Sequence, residues 1–288
     1  MPVHDDLGTR MKEFYEAIPK TRLMRRCPVA IRLDGKAFHT FTRGFQKPFD
    51  EILIKSMQAT MKYLCENIQG CVLGYTQSDE ITLVLVDYKN LNSSAWFDYE
   101  VQKMCSIAAS MATMAFNRAF ALELDNWKEK AFPIDYLGYN TGMISMADVN
   151  LVEAYNKSLN KGAMFDARVF NIPKEEVTNC VYWRQLDATR NSIQMVGQAN
   201  FSHKELQNKS CNDIQDMLML QKGINWNDFP VHQKRGSCCV KETYYINSEN
   251  GAETNVDDPL AVQRSRWVVD TEIPVFKNEG RDYIERLI

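Results

Sequence analysis

The segment Gly74–Leu85, GYTQSDEITLVL, carries the clearest structural signal in this chain. A short polar break, QSDE, separates two apolar runs that have the length and β-branched content of strands. Cys71–Thr76 and Ile81–Val86 are therefore predicted to form an antiparallel hairpin, with Asp79 and Glu80 at its turn. The spacing alone leaves open whether this carboxylate pair binds a metal ion or forms a solvated turn.

The sequence on either side places the hairpin in a mixed α+β domain. Pro28–Leu33 is a short, mostly apolar run that ends at Asp34, which predicts a buried strand. Apolar residues recur at the helical period from Asp50 to Ile68, and Asp50 is positioned to cap that helix. Tyr99–Leu122 repeats the helical period. The first 130 residues are thus predicted to follow the order β–α–β–β–α.

The second half of the chain is predicted to be more helical. Helices are predicted over 148–155, 174–195 and 204–222, and strands over 167–172 and 267–276. Ser202 is positioned to cap the last of these helices. The polar, acidic segment 246–260 is predicted to be an exposed loop.

Composition limits the classes of protein to which the chain can belong. Its 288 residues are 45% hydrophobic and 25% charged, as in a globular protein of one large or two modest domains. A net charge of −3 gives no global attraction to nucleic acid, although a local basic patch is compatible with it. With no long apolar run and no apolar leader, we expect no membrane contact. The eight cysteines lack C-x-x-C spacing, which argues against structural zinc and favours a reducing, cytoplasmic location.

Acids at neighbouring strand ends indicate a metal site. Asp34 follows one predicted strand, and Asp79 and Glu80 lie between two others. Carboxylates at such positions are costly unless positive charge meets them, and Mg²⁺ prefers oxygen ligands. Gly35 has no side chain, so its carbonyl oxygen could approach an ion closely. Two ions bridged by carboxylates would stabilise the attacking and leaving oxygens of a phosphoryl transfer.

Basic residues surround the first of these acids. Seven cations lie within 26 residues: Arg22, Arg25, Arg26, Arg32, Lys36, Arg43 and Lys47. This density favours a polyphosphate-binding surface, while a solvated arginine-rich helix stays open as the explanation for the first three. Arg32 lies inside an apolar run and needs a partner, either a triphosphate or a structural carboxylate. His39 is open to two interpretations. It could be a general base or a residue that stacks on a nucleobase, or it could be an ordinary hydrogen-bonded histidine.

The sequence has no glycine-rich phosphate loop, so a nucleotide site would depend on metal ions. In the C-terminal half, three segments mix cations with amides and hydroxyls, the groups that contact phosphate and sugar. They are WRQLDATRNS (183–192), FSHKELQNKS (201–210) and HQKRGS (232–237). They indicate an RNA-binding surface, with ordinary helix surface as the alternative.

Four segments together resemble the tRNA-His guanylyltransferase family: RLDGKAFHTFTRGFQKPFD, GYTQSDE, FDARVF and WRQLDATRNSI. The resemblance runs from about residue 5 to residue 242. It implies an α+β fold with a polymerase-palm-like antiparallel sheet and helices on one face, plus a helical or mixed C-terminal region. By this resemblance, residues 1–135 would form the catalytic domain. Residues 136–245 would contribute tRNA and triphosphate contacts, and residues 246–288 would form a loop and tail of unknown role.

The family resemblance implies a nucleotidyltransferase that extends the 5′ end of tRNA in the 3′–5′ direction. The 5′ phosphate is activated by ATP or is already a triphosphate, and the 3′-hydroxyl of GTP or another incoming NTP attacks it. Two Mg²⁺ ions would be held by Asp34, the Gly35 carbonyl and Asp79, with Glu80 as an assisting catalytic acid. A homotetramer is expected by analogy.

The resemblance also implies binding roles for other residues. Arg32, Lys47 and Ser78 would contact triphosphate oxygens. The nucleotide site would include Lys36, Ala37, Phe38, His39, Asp50 and Asn191. Contacts to tRNA or triphosphate would come from Lys204, Lys209, Lys234 and Arg235.

One motif departs from the family pattern. Enzymes that add G to tRNA-His carry H-I-N-N where this chain has T-R-N-S at 189–192, and Asn191 alone matches. The departure resembles the guanylyltransferase-like branch, which prefers template-directed repair of 5′-truncated tRNA. Two alternatives stay open, a palm-type nucleotidyl cyclase and a non-catalytic RNA-binding protein built on a palm.

Overall fold

The computed structural model describes residues 6–131 and 146–288. The strands are β1 Val29–Gly35, β2 Cys71–Gln77, β3 Glu80–Leu85, β4 Phe165–Asn171, β5 Ser237–Asn247, β6 Glu253–Thr254 and β7 Ala261–Asp270. The first five α-helices are α1 Asp6–Met11, α2 Phe38–Phe41, α3 Glu51–Asn67, α4 Val101–Ala131 and α5 Met146–Lys161. They are followed by α6 Lys174–Asn200, α7 His203–Leu206, α8 Cys211–Lys222, α9 Val231–Arg235 and α10 Asp282–Glu285.

The strands form one antiparallel sheet in the order β4-β1-β3-β2-β5-β6, with β7 also paired to β5. The predicted hairpin is β2–β3. Gln77 pairs with Glu80 across a two-residue turn in which Ser78 has a φ of 50°. The sheet contains strands from all three predicted regions, and β5 crosses the boundary predicted at 245. The boundary predicted at 135 lies outside the described residues.

One face of the sheet is covered by α3 and α4. Alternate residues of β1 and β3, such as Ile31 and Leu83, point to this face and pack with Met61 of α3 and Phe116 of α4. All four side chains are buried. The predicted cap is also present, because the Asp50 carboxylate accepts a hydrogen bond from the Leu53 amide at 2.9 Å. The predicted α+β fold class is therefore confirmed.

The opposite face is covered by α6 and the C-terminal segment. Val181 of α6 packs in one cluster with Tyr75 of the sheet and with Phe276 and Ile284 near the C-terminus. The Gln185 side chain fixes that segment, since it donates to the Pro274 carbonyl at 2.8 Å and accepts from the Phe276 amide at 2.9 Å. The C-terminal residues, to which the sequence assigned no role, thus complete the second layer of the core.

Several boundaries differ from the prediction. The helix predicted over 204–222 is two helices, because Ser210 and Asp213 form a second capping box that restarts the chain after α7. Strand β5 was not predicted, and β7 begins at Ala261 rather than 267. These two strands pair mainly with each other, so exposed polar positions such as Lys241 and Glu242 weaken the alternation that would reveal them. No described helix has both the length and the apolar character needed to cross a membrane.

Candidate active site

The sheet brings the predicted acids to one end. Asp34 of β1 lies opposite Glu80 of β3 and opposite Asp166 of β4, so three carboxylates occupy one row of the sheet. Asp79 lies beside them in the hairpin turn, where its carbonyl accepts a hydrogen bond from the Gly35 amide at 3.1 Å. Asp34, Gly35 and Asp79 also line the same cavity. The pairing of β1 with the hairpin is thus what assembles the predicted metal ligands.

These acids carry more negative charge than their surroundings offset. Burial raises the pKa of Asp79 to about 6, and the Asp34 and Glu80 carboxylates add to the rise while a hydrogen bond from Ser78 opposes it. Burial, Glu80 and Asp166 likewise raise the pKa of Asp34, against the opposing effect of nearby arginines. A bound cation would relieve this excess charge.

The donor set fits magnesium rather than zinc. Among the described residues, no three acidic, histidine or cysteine side chains are grouped so that they could hold a metal ion by themselves. Two carboxylates and the Gly35 carbonyl leave the remaining positions to water and phosphate oxygens, which is how proteins commonly hold Mg²⁺. A side chain at position 35 is also sterically excluded, because an added Cβ would lie 2.3 Å from the Phe38 ring.

Glu80 and Arg32 contact each other and α6 beside the cavity. The Glu80 carboxylate contacts Arg32 at 3.2 Å and Arg184 at 2.7 Å, and it accepts from the Gln77 amide at 3.1 Å. Both guanidinium groups lie over the Trp183 ring, at 5.2 and 4.4 Å from its centre. Neither Glu80 nor Arg32 lines the cavity. These contacts hold the hairpin to α6.

Nine predicted residues line one cavity of about 540 Å³: Asp34, Gly35, Ala37, Phe38, His39, Lys47, Asp50, Ser78 and Asp79. Lys36 lies outside this lining and is exposed. Ala37 and Ser78 both have positive φ angles, 54° and 50°, so the backbone on two sides of the cavity is held in a conformation unusual for residues other than glycine. The cavity is large enough for a nucleotide.

Asp50 forms part of the cavity floor, but its oxygens are used within the protein. They accept hydrogen bonds from the Tyr155 hydroxyl at 2.6 Å and from the amides of Gln46 and Leu53 at 3.0 and 2.9 Å. Asp50 is 5% exposed. Its contribution is therefore to fix the loop that carries Lys47 above the cavity.

Asn191 lines a smaller adjoining cavity, together with Asp50 and Ser78. Ser192 of the same motif also lines this cavity. The Thr189 hydroxyl donates to the Gln185 carbonyl at 3.0 Å, and the buried Ser192 hydroxyl accepts from the Trp226 indole at 3.0 Å. Asn191 and Ser192 are thus the members of this motif that line the adjoining cavity.

The predicted C-terminal cations separate into two groups. Lys204 and Lys209 are exposed, and Lys209 lines a second cavity. Lys234 is buried at 7% exposure, and its ammonium donates to the Asn227 carbonyl and lies 5.6 Å from the Trp226 ring centre. Burial lowers the pKa of Lys234. Arg235 is half-buried, and its carbonyl accepts a hydrogen bond from Tyr75 at 2.7 Å.

Sequence reasoning missed Arg184 and seven residues of the main cavity lining, two of which come from α6. Arg184 neutralises Glu80, while Met195 and Gln198 line the main cavity from α6. An arginine in the middle of an otherwise buried helical face was the available signal for Arg184. Met195 and Gln198 gave none, because both are exposed residues on a helix surface.

Comparison with known proteins identifies consistent relatives. A family model described as tRNAHis guanylyltransferase matches residues 8–173. An uncharacterized protein of Acanthamoeba polyphaga mimivirus is 29% identical over 254 residues, 83% of this chain and 78% of that protein. The tRNA(His) guanylyltransferase of Saccharomyces cerevisiae is 25% identical over 241 residues, 78% of this chain and 88% of that protein.

Solved structures show the same relationship. A bacterial tRNA(His) guanylyltransferase (Thg1)-like protein in complex with ATP superposes with a TM-score of 0.72 at 38% identity, over 98% of each chain. The bacterial Thg1-like protein in complex with GTP gives a TM-score of 0.70 at 37% identity, over 98% of this chain and 99% of that one.

Proposed function

Since the chain belongs to the tRNAHis guanylyltransferase family, a family of nucleotidyltransferases, we propose that it adds nucleotides to the 5′ end of tRNA in the 3′–5′ direction. The observation that carries this proposal is the cavity in which Asp34, Gly35 and Asp79 adjoin a nucleotide-sized space. Relatives that cover 98% of this chain hold ATP and GTP, so a site for either nucleotide is consistent with the shared fold.

Different residues of the cavity are suited to contact different parts of a nucleotide. Lys47 and Ser78 at the cavity wall are suited to orient triphosphate oxygens, and His39 is an exposed cavity residue able to contact the base or ribose. The apolar wall, which includes Phe45 and Leu53, limits the access of water to the reacting phosphate.

Asp34, Asp79 and the Gly35 carbonyl are the residues that would hold Mg²⁺. The raised pKa values of both carboxyl groups and the position of all three residues in the cavity lining support this assignment. When bound, Mg²⁺ neutralises phosphate charge and favours ionisation of an attacking hydroxyl. The two carboxylates would hold the ion at the cavity wall, and the contact between Glu80 and Arg184 keeps the hairpin that carries Asp79 in place.

We further propose template-directed repair of 5′-truncated tRNA over strict addition of G to tRNA-His. The T-R-N-S motif supports this proposal, because Asn191 alone of the four residues matches the H-I-N-N pattern of G-adding enzymes. Activation of the 5′ phosphate would use ATP or an existing triphosphate.

The assembly and location are proposed from the same resemblance. Large apolar side chains near the N-terminus are exposed, including Leu7, Phe14 and Ile18. Such a surface is typical of subunit contacts, which supports a homotetramer. All eight cysteines are free thiols, in keeping with a cytoplasmic location.

The test is extension of a 5′-truncated tRNA by the full chain in the presence of Mg²⁺ and all four labelled NTPs. Template-matched extension is the expected result. Addition of a single G to tRNA-His alone would contradict template-directed repair and support strict G addition. A cyclic product from NTP without tRNA would overturn the proposal. For variants of Asp34 and Asp79, the exposed-acid variant Asp216→Asn is the matched control, because Asp216 lies on α8 outside every cavity lining described above.

A further inference from the structure

A second cavity, about 600 Å³ in volume, lies beside the first. It is bounded by the last turns of α6 and by the segment that joins α7 to α8. Gln198 lines both cavities, so they adjoin each other along α6. No role is assigned to this space by the proposed chemistry, which takes place at Asp34 and Asp79.

The lining of the second cavity combines an apolar floor with an amide rim. Phe201 and Ile214 are 8% and 3% exposed and form the floor. The rim has four side-chain amides: Gln194, Gln198, Gln207 and Asn208. Among the described residues, none of these four amides makes a hydrogen bond, so their donors and acceptors are available to a ligand.

The electrostatic character of the lining favours an anionic ligand. His203 and Lys209 lie on the rim, and the described lining contains no carboxylate. The two nearest acids in the sequence are engaged elsewhere. Glu205 accepts from the Ser202 amide and Asp213 from the Ser210 amide, each at 2.8 Å.

An apolar floor, side-chain amides that can hydrogen-bond the edges of a base and a cation for phosphate together form the chemistry that recognises a nucleotide with an unpaired base. We propose that the second cavity binds an unpaired nucleotide of the 3′ strand of the tRNA while its 5′ end reacts in the first cavity. The 3′ strand is the occupant because the cavities share Gln198, and in tRNA the unpaired 3′ end lies next to the 5′ end. This inference rests on the proposed function.

The binding test uses a short fluorescent single-stranded RNA with the sequence of a tRNA 3′ end. The variant Gln194→Ala/Gln207→Ala should bind it about tenfold more weakly than the wild-type chain, because two hydrogen bonds to the base are lost. Gln221→Ala is the matched control, an exposed glutamine of α8 outside both cavity linings. Equal affinity of the double variant and wild type would overturn the proposal, as would displacement of the RNA by ATP alone.

The activity test compares a 5′-truncated tRNA with the same tRNA lacking only the 3′-terminal nucleotides that are unpaired in the complete acceptor stem, so that the template for the missing 5′ nucleotides is kept. The wild type should extend the intact substrate about tenfold faster, and the double variant should extend both substrates at the same, slower rate. If the wild type extends neither substrate, the proposed function fails while the binding test still judges the cavity. If it extends both equally and the double variant binds RNA normally, the cavity proposal fails and the proposed function stands.

Discussion

Asp79 and Glu80 are neighbours in the chain, and the structure gives them opposite electrostatic surroundings. Asp79 lies in the turn, lines the cavity and has its pKa raised to about 6, chiefly by burial. Glu80 begins β3 and is neutralised by Arg32 and Arg184. Two adjacent acids can thus differ in function. The carboxylate without a cationic partner among the described residues is available to a ligand, and the carboxylate paired with arginines stabilises the fold.

The largest expected effect is on catalysis. Asp34→Ala and Asp79→Ala should each lower the rate of nucleotide addition by on the order of 10³-fold, because each removes a carboxylate that would hold Mg²⁺ at the reacting phosphate. The measurement is single-turnover extension of a 5′-truncated tRNA, with circular dichroism to show that the fold is retained. A folded variant that reacts at nearly the wild-type rate would exclude the two-metal assignment.

The next largest effect is expected on the other side of the hairpin. Arg184→Leu should lower the free energy of unfolding by about 3 kcal/mol, the lower end for a broken buried pair, since Glu80 keeps Arg32 as a partner. The measurement is urea denaturation. Arg168→Leu is the matched control, because the Arg168–Asp166 pair is exposed on both sides and should contribute less than about 1 kcal/mol. Equal losses in the two variants would contradict the importance of the buried network.

Removing the charge at position 79 should stabilise the metal-free protein. A raised pKa means that the folded state holds the Asp79 proton more tightly, so stability is lost as the pH rises through the folded pKa of about 6, and the loss stays constant at higher pH. At neutral pH, Asp79→Asn should therefore raise the free energy of unfolding by about 1–2 kcal/mol in the presence of a chelator. Denaturation of wild type and variant at acidic pH provides the control, because the difference should disappear there. A variant that is less stable at neutral pH would show that Asp79 is already neutralised by the protein.

The smallest expected effect sharpens the comparison between the two acids. Glu80→Gln keeps the shape and the hydrogen-bonding capacity of the side chain, so it should lower the extension rate by no more than about tenfold. The isosteric partner Asp79→Asn should lower it by on the order of 10²–10³-fold. Parallel rate measurements on the two variants test this order. A larger loss for Glu80→Gln would assign Glu80 to the reacting group of residues.

Local signals explain what the sequence could predict. The hairpin β2–β3, strand β1 and the Asp50 cap of α3 all depend on periodicity or on contacts within a few residues, and the structure contains each of them. Because Asp34 and the QSDE turn lie at predicted strand ends, their shared location could be inferred as well.

Long-range packing explains what the sequence could not predict. Arg184 is 104 residues from Glu80, and no local pattern joins them. Lys234 belongs to a basic, polar segment, and only the packing of Trp226 beside it accounts for its burial. Strands β5 and β7 pair with each other at the edge of the sheet. Their exposed residues do not alternate regularly with buried ones, so the sequence lacks the pattern that predicts other strands.

The hydrogen bonds of Gln185 connect a segment near the end of the sequence to the candidate site. Gln185 and Val181 on α6 hold the Pro274–Phe276 segment and the residues around Ile284, and Arg184, the residue before Gln185, holds the hairpin. Residues 274–288 therefore cover the helix that supports the hairpin. Without them α6 would have an uncovered apolar side, so the integrity of the site depends on a segment that lines none of its cavities.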